Sequence, residues 1–220
     1  MQSREELLKK YKTEKVLCIE NKYLPNNLKS ISIVDLLEKM SFRCFSQLRA
    51  DAEIDVDSRQ IIPYVVIRTK KSDGNVYVFT TTRLKGDERL KGQKSIGTGG
   101  HVDVSDIVMQ DIEQFKINIF DTIENCIKRE LSEETTLKDI EKLIDGELEL
   151  VNLFIDDRSE VSKVHLCMLF TLDIPESYAE ELTIKETEKL VGEWINIKDI
   201  KKIKKLEGWS EKAYELLQQI

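Results

Sequence analysis

The hydrophobic and polar positions of the chain follow two periods, and each period predicts an element. Apolar residues recur at spacings of three and four over 32–47 and 120–137, which predicts helices with one buried face. A period of two over 164–171 predicts a strand. Ile61–Thr69 and Val76–Thr82 flank an Asp-Gly turn, which predicts an antiparallel hairpin. The order of these elements predicts an α/β fold with a mixed sheet between helices.

Shorter patterns complete the expected order of elements. They predict strands over 15–20, 147–154, 161–172 and 193–195, and helices over 3–12, 197–205 and 208–219. Ser3 and Ser210 are expected to cap the first and last of these helices, because a serine oxygen accepts hydrogen bonds from the free N–H groups of a first turn. The polar stretch 51–59 predicts a loop.

The helix predicted over 120–137 has two chemically different faces. Glu130, Glu133 and Glu134 fall within an arc of about 100° when the residues are placed on a helix. Like charges at these spacings repel by a few tenths of a kcal/mol per pair, and a divalent cation can turn that repulsion into a binding site. Arg129 could orient Glu130 or pair with Glu133 one turn later. The apolar face consists of Phe120, Ile123, Ile127 and Leu131.

An acidic helix face is more often a solvated surface than a metal site. The upstream stretch 95–103 strengthens the metal interpretation, because it contains the adjacent glycines Gly99 and Gly100. Glycine pairs allow a backbone carbonyl to approach a metal ion or a phosphate closely. The two stretches together predict a site for a metal ion and a phosphorylated ligand.

These residues resemble the box of the Nudix hydrolases, G-x(5)-E-x(7)-R-E-U-x-E-E-x-G-U, where U is aliphatic. The right half of the box stands at 129–137, with Arg129 as its arginine. The sequence departs from the box in three ways: fifteen extra residues follow Gly100, an aspartate replaces the leading glutamate, and Thr136 replaces the closing glycine. Asp121 and Asp106 both qualify for the leading acidic position, and the sequence does not choose between them.

The Nudix resemblance implies an α/β/α sandwich and hydrolysis of a diphosphate linkage in a nucleoside di- or triphosphate or another nucleoside diphosphate derivative. It implies Mg²⁺ or Mn²⁺ as cofactor, and family members are often homodimers. The implied catalytic residues are Glu130, Arg129 and Glu134. The implied metal ligands are the Glu130, Glu133 and Glu134 carboxylates and the carbonyls of Gly99 and Gly100.

Segments outside the box, within about 50–212, resemble a branch of the superfamily composed of predicted phosphoesterases. The candidate substrate-binding residues are Arg68, Arg83, Asp156, Asp157 and His165. Arg83 begins a cationic stretch, 83–94, that could be a solvated loop or a rim for the phosphates of the substrate. The general base stays open between Glu130 and the pair Asp156 and Asp157.

Two other classes of function compete with hydrolysis. The interrupted box would suit a non-catalytic nucleotide-binding or regulatory module, although such a module has no need to keep three mutually repelling glutamates. An isomerase of the isopentenyl diphosphate type needs a proton-donating cysteine and extra metal-binding histidines. The chain has only two histidines, which makes this enzyme, and a zinc site, a poor fit.

Composition is that of a globular protein: 40% of the 220 residues are hydrophobic and 34% are charged. The net charge of −7 argues against nucleic acid and anionic membranes as partners. Four dispersed cysteines, with no signal peptide or membrane span, predict reduced thiols in the cytoplasm.

The chain is expected to form one Nudix-like domain over 1–220, with 1–50 as an N-terminal extension. Residues 104–118 are an insertion, whose apolar residues predict a helical turn or two rather than a floppy loop. The insertion could cover one side of the site or build a subunit contact.

Overall fold

The computed structural model describes residues 3–28, 31–85, 91–158 and 162–219. The chain divides into two compact units, each drawn from three stretches of sequence. The first unit takes 1–63, 100–126 and 152–168. The second unit takes 64–99, 127–151 and 169–220. Among the described residues, no helix is long and apolar enough to cross a membrane.

The helices are α1 (Arg4–Tyr11), α2 (Ile33–Arg43), α3 (Arg49–Ala52), α4 (Ile119–Glu134), α5 (Ile140–Glu147), α6 (Glu176–Glu181) and α7 (Gly208–Leu217). The strands are β1 (Lys15–Glu20), β2 (Cys44–Leu48), β3 (Ser58–Lys70), β4 (Val76–Arg83), β5 (Lys94–Ser95), β6 (Thr98–Gly99), β7 (Met109–Asp111), β8 (Lys116–Ile117), β9 (Leu148–Phe154), β10 (His165–Asp173) and β11 (Leu190–Asn196). The predicted α/β class is confirmed, with a large sheet. β1 pairs antiparallel with β2 and β3, β4 pairs antiparallel with β3, β5 and β11, and an isolated parallel bridge joins Lys94 and Leu206.

The first unit is built on β1, whose bounds match the predicted strand. β1 pairs with β2 through Ile19 opposite Cys44 and with β3 through Cys18 opposite Gln60. The predicted cap of α1 is also confirmed, because the Ser3 hydroxyl accepts a hydrogen bond from the backbone N–H of Glu6 and the Glu6 carboxylate accepts one in return.

The second unit contains the predicted hairpin of β3 and β4. Gly74 closes the turn with φ of +79°, a conformation that glycine adopts without steric cost. β4 then pairs along β11, where Trp194 lies opposite Phe79. The two rings lie 5.2 Å apart, and the Trp194 indole N–H donates to the Ala179 carbonyl at 2.9 Å. These two contacts hold the half-buried Trp194 side chain in place.

The predicted helix over 32–47 is too long. α2 ends at Arg43, and Cys44 begins a strand because its backbone pairs with β1. Hydrogen bonding to an existing strand outweighs the local helical spacing of the apolar residues. The loop predicted over 51–59 is also partly wrong, since it contains the end of α3 and the start of β3.

The insertion over 104–118 is mostly a β-hairpin. One 3₁₀ turn spans Val104–Asp106, and β7 and β8 follow. The hairpin tip exposes Ile112 and Phe115, which are 76% and 79% accessible, and Phe115 turns the chain with φ of +52°. The expectation of added helical turns is wrong apart from the 3₁₀ turn, because the chain closes a two-stranded ladder instead.

Ser210 does not cap the last helix. α7 begins at Gly208, after the N-cap Glu207, so Ser210 is its third residue and is fully buried. The Ser210 hydroxyl lies 2.8 Å from the Tyr64 hydroxyl and accepts a hydrogen bond from the Ile96 backbone N–H at 3.0 Å. The Ser210 hydroxyl, which the sequence predicted to cap the helix, therefore forms tertiary hydrogen bonds instead.

The C-terminal third differs from expectation in smaller ways. The stretch predicted as a helix over 197–205 is a 3₁₀ helix, Ile197–Lys202, and α6 was not predicted. The strand predicted from Val161 begins at His165, and it is buried on both faces up to Leu172. Residue 161 itself lies outside the described residues.

Candidate active site

Helix α4 carries the box residues, and its register is the one the sequence predicts. Ile123, Ile127 and Leu131 are almost completely buried, as expected for the apolar face. Phe120 is 51% exposed, so the expectation that it belongs to that face is wrong. The box residues 129–134 occupy the last turns of the helix, in the second unit.

Arg129 binds two of the box glutamates. Its Nη1 lies 2.6 Å from a Glu130 carboxylate oxygen and 3.7 Å from a Glu133 carboxylate oxygen. Both predicted roles of Arg129 are thus present together, since one guanidinium has donors for two acceptors. The contact fixes the Glu130 side chain, which is only 16% exposed.

Glu134 has a strongly perturbed carboxyl group. Burial is the largest cause, and together with the negative charges of Glu130, Glu186 and Glu133 it raises the pKa to about 7, while Arg83 lowers it. Several carboxylates therefore act on one another at the end of α4. A divalent cation among these carboxylates would relieve the repulsion, so the donor set fits a hard, oxygen-ligated ion.

The segment after α4 explains how the chain tolerates threonine in place of the closing glycine. Thr136 does not have a positive φ, so this position does not require glycine's conformational freedom. The Thr136 N–H donates to the Thr183 carbonyl at 3.0 Å, and the Lys185 N–H donates to the Glu134 carbonyl at 2.8 Å. The end of the box helix is thus held by backbone hydrogen bonds.

The two candidates for the leading acidic position both have local structural partners in the first unit. The Asp121 carboxylate accepts a hydrogen bond from the Asn118 side-chain amide at 2.7 Å, at the start of α4. Asp106 is buried and accepts the Asp103 backbone N–H at 2.9 Å. These contacts do not distinguish the two, and the ambiguity between them persists.

The glycine pair lies at the end of a short strand. Gly99 closes β6, which pairs antiparallel with β3 through Tyr64 opposite Gly99. The Gly100 carbonyl accepts a long hydrogen bond from the Cys126 thiol, at 3.9 Å. Metal ligation by either carbonyl stays a prediction.

Among the candidate substrate-binding residues, Arg83 interacts electrostatically with the box glutamate Glu134. Arg68 instead forms a two-point ion pair with Asp173, at 2.8 and 2.5 Å, and lines an open groove of about 520 Å³. The described residues that line this groove include none of the box glutamates.

The remaining three candidates lie in the first unit. Asp156 is buried and binds Arg158 at 2.7 Å, and the exposed Asp157 binds Arg59 at 3.2 Å. His165 is buried, and its Nε2 lies 3.3 Å from Nε2 of His101. A substrate role for these residues stays a prediction.

Sequence reasoning missed two features of the charged and polar residues. Glu186, far from the box in sequence, adds negative charge at Glu134. His101 and His165 come together beside Glu53, with one potential ligand atom of each residue within 4.8 Å of the others. No local spacing could reveal this, although His101 directly follows the glycine pair.

Comparison with known proteins identifies the family. No protein-family model matches the chain. Protein YmaB of Bacillus subtilis (strain 168) is 31% identical over 173 residues, which cover 77% of this chain and 76% of YmaB. The crystal structure of Tm1382, provisionally assigned as a Nudix hydrolase, matches with a TM-score of 0.65 at 26% identity and covers 94% of this chain and 100% of its own. The chain therefore belongs to the family of YmaB and to the Nudix superfamily.

Proposed function

We propose that the chain is a metal-dependent hydrolase that cleaves a diphosphate linkage in a nucleoside di- or triphosphate or another nucleoside diphosphate derivative. The observation that carries the proposal is the cluster of Glu130, Glu133 and Glu134 at the end of α4, where the pKa of Glu134 is raised to about 7. Likeness to a Nudix structure supports the same reaction class.

Mg²⁺ or Mn²⁺ is the cofactor that suits these donors, and Glu130, Glu133 and Glu134 would hold it. The carbonyls of Gly99 and Gly100 would be further ligands of the same cation. When bound, such a cation supplies Lewis-acid polarisation of a phosphoryl group and neutralises phosphate charge. Without a cation, the negative charge of these carboxylates would repel the phosphates of the substrate.

The protein's own residues then have separate tasks. Arg129 holds the Glu130 carboxylate in one orientation through the 2.6 Å contact, which positions Glu130 as ligand or as proton acceptor. Arg83 supplies positive charge beside Glu134, where a phosphate would need it. Asp156 and Asp157 stay alternatives for the general base.

The main alternative is a non-catalytic nucleotide-binding or regulatory module, which the departures from the box would suggest. The geometry of Thr136 weakens it, because the backbone there has no need of glycine. The charge cluster weakens it further. Three glutamates that repel each other destabilise the fold unless a ligand compensates them.

A substrate screen tests the proposal. The purified chain is incubated with Mg²⁺ and a panel of nucleoside di- and triphosphates, nucleotide sugars and dinucleoside polyphosphates, and release of phosphate or pyrophosphate is measured. We expect turnover of at least one compound, abolished by EDTA. Ligand binding with no turnover for the whole panel, with Mg²⁺ or Mn²⁺, would favour the non-catalytic module.

We also propose a cytoplasmic location and a homodimer. All four cysteines are free thiols, which suits a reducing compartment. The exposed Ile112 and Phe115 at the tip of the insertion suit the subunit contact expected as one of its two roles. Light scattering of the purified chain after size exclusion measures the oligomeric state directly.

A further inference from the structure

We propose that Glu53, His101 and His165 form a second metal site, which takes a Zn²⁺-class transition-metal dication rather than Mg²⁺. The three side chains come from the end of α3, the segment after β6 and the first residue of β10. All three lie in the first unit, and the site is independent of the proposed function of the box helix.

The spacing of the two imidazoles is that of two ligands on one ion. Their Nε2 atoms are 3.3 Å apart. Two nitrogens bound tetrahedrally at the usual zinc distance are separated by about 3.3 Å, from simple trigonometry. A carboxylate oxygen of Glu53 lies within 4.8 Å of one ring nitrogen of each histidine, so a small side-chain movement would complete a three-ligand set.

The alternative is a simple hydrogen bond between the two rings. At 3.3 Å the contact is longer than a typical hydrogen bond with an N–H donor, and the rings meet edge to face at 65°. A hydrogen bond between the rings also does not involve the nearby Glu53 carboxylate. The metal interpretation uses all three groups.

The surroundings hold the ligands in place. Ala52, next to Glu53, is buried in a cluster with Val16 and Cys18. The segment that carries His101 is fixed by the Leu17 N–H, which donates to the Val102 carbonyl at 2.9 Å, and by the Cys126 thiol, which donates to the His101 carbonyl at 3.5 Å. Such supporting contacts are typical of metal sites.

The ion pair of the Glu53 carboxylate with Arg49 is long. Arg49 Nε lies 3.4 Å from a Glu53 oxygen, whereas Arg49 Nη1 lies 2.6 Å from Glu14. Glu53 can therefore turn to a metal ion while Arg49 keeps its shorter contact.

The chemistry of the donors selects the kind of metal. Two imidazoles and one carboxylate suit zinc and its neighbours, whereas Mg²⁺ prefers oxygen ligands alone. Three protein ligands leave a fourth position open, as in catalytic rather than structural zinc sites.

Cobalt spectroscopy tests the proposal on the full chain. The protein is stripped with a chelator, placed in excess Mg²⁺ to occupy carboxylate sites, and titrated with Co²⁺ while visible d–d absorption is recorded. We expect one equivalent of Co²⁺ to bind and Zn²⁺ to displace it. His101→Asn and His165→Asn should each raise the Kd at least about 100-fold.

Three control variants locate the ion. Glu14→Gln removes the other partner of Arg49, Cys126→Ser removes the thiol that contacts the His101 carbonyl, and Glu134→Gln alters the box helix. Each variant should bind Co²⁺ as the wild type does. Circular dichroism checks the folding of every variant, and the half-buried His101 makes its variant the safer of the two histidine changes.

Several outcomes would overturn the proposal. These are a wild type that gives no Co²⁺ spectrum, a folded His101→Asn chain that binds with unchanged affinity, or a spectrum that disappears in Cys126→Ser. Loss of binding in Glu134→Gln alone would put the ion on the box helix, which would end this proposal and leave the proposed hydrolase function standing.

Discussion

The box helix and the histidine cluster are two ways of assembling polar side chains at a site. The three glutamates of the box lie within five residues of one helix, and their arginine is adjacent in sequence. The cluster of Glu53, His101 and His165 gathers residues separated by 48 and 64 positions (53 to 101, and 101 to 165). Helical periodicity reveals the first, and only the fold reveals the second.

The two sites also differ in charge. The box brings several carboxylates together, and burial with their mutual repulsion raises the pKa of Glu134 to about 7. The histidine cluster instead contains one carboxylate beside two imidazoles, which are neutral when they bind a metal. We therefore expect the box to take a hard cation and the cluster a borderline one. The predictions below test this contrast.

The largest effect is expected for Glu130→Gln. The change keeps the side-chain shape but removes the charge that Arg129 and the cation require, so turnover should fall by about 100- to 1,000-fold. Steady-state kinetics on the best substrate of the screen measures it. Glu141→Gln is the matched control, because Glu141 is an exposed carboxylate in α5. Turnover of Glu130→Gln within a few fold of wild type would remove Glu130 from the mechanism.

The next effect is a gain of stability in Glu134→Gln without metal. The pKa of Glu134 rises from 4.5 in the unfolded chain to about 7 in the folded chain, so this group favours folding below pH 4.5, and that contribution is lost as pH rises through 7. At pH 8 the charged carboxylate should cost about 3 kcal/mol, from the size of the shift.

Urea denaturation in EDTA measures this effect. Glu134→Gln should be more stable than wild type at pH 8, and the difference should shrink towards pH 5. Added Mg²⁺ should reduce the difference at pH 8, because a cation stabilises the charged wild type. Equal stability of the two chains at both pH values would contradict the charge imbalance at the box.

A smaller loss of activity is expected for Arg129→Lys. Lysine keeps the charge but cannot reach Glu130 and Glu133 with one planar group, so kcat/KM should fall by about tenfold while the melting temperature changes little. Arg129→Met removes the charge and so distinguishes charge from geometry. Its kcat/KM should be lower than that of Arg129→Lys. A methionine variant as active as the lysine variant would show that the positive charge has no role.

The smallest effect concerns Glu14→Gln beside the histidine cluster. The Arg49–Glu14 pair is partly exposed, so its loss should cost less than about 1 kcal/mol in urea denaturation. A loss of several kcal/mol would mean that Arg49 holds the first unit together and that the control is unsuitable for metal binding.

The parts of the fold that the sequence predicted are those set by local chemistry. β1, the hairpin of β3 and β4 with its glycine turn, and α4 with its Arg129 contacts follow from periodicity and spacing. The hairpin and α4 contain their own backbone hydrogen bonds and turn geometry, so they need no knowledge of distant residues. β1 pairs with strands elsewhere in the chain, and its short apolar run alone predicted it.

The parts that failed depend on partners elsewhere in the chain. Cys44 is a strand residue because β1 lies beside it, and Ser210 is buried because Tyr64 and Ile96 bind its hydroxyl. His165 was proposed only as a substrate-binding residue, and its contact with His101 became visible only in the fold. Tertiary contacts decided each case against local preference.

Magnesium calorimetry tests the central claim most directly. Mg²⁺ is titrated into the wild type and into the triple variant Glu130→Gln, Glu133→Gln, Glu134→Gln. Mg²⁺ is the probe because imidazole sites take it poorly. The account predicts binding by the wild type and its loss in a folded triple variant. Equal binding by both, or none by the wild type, would contradict the claim that these three glutamates hold the catalytic cation.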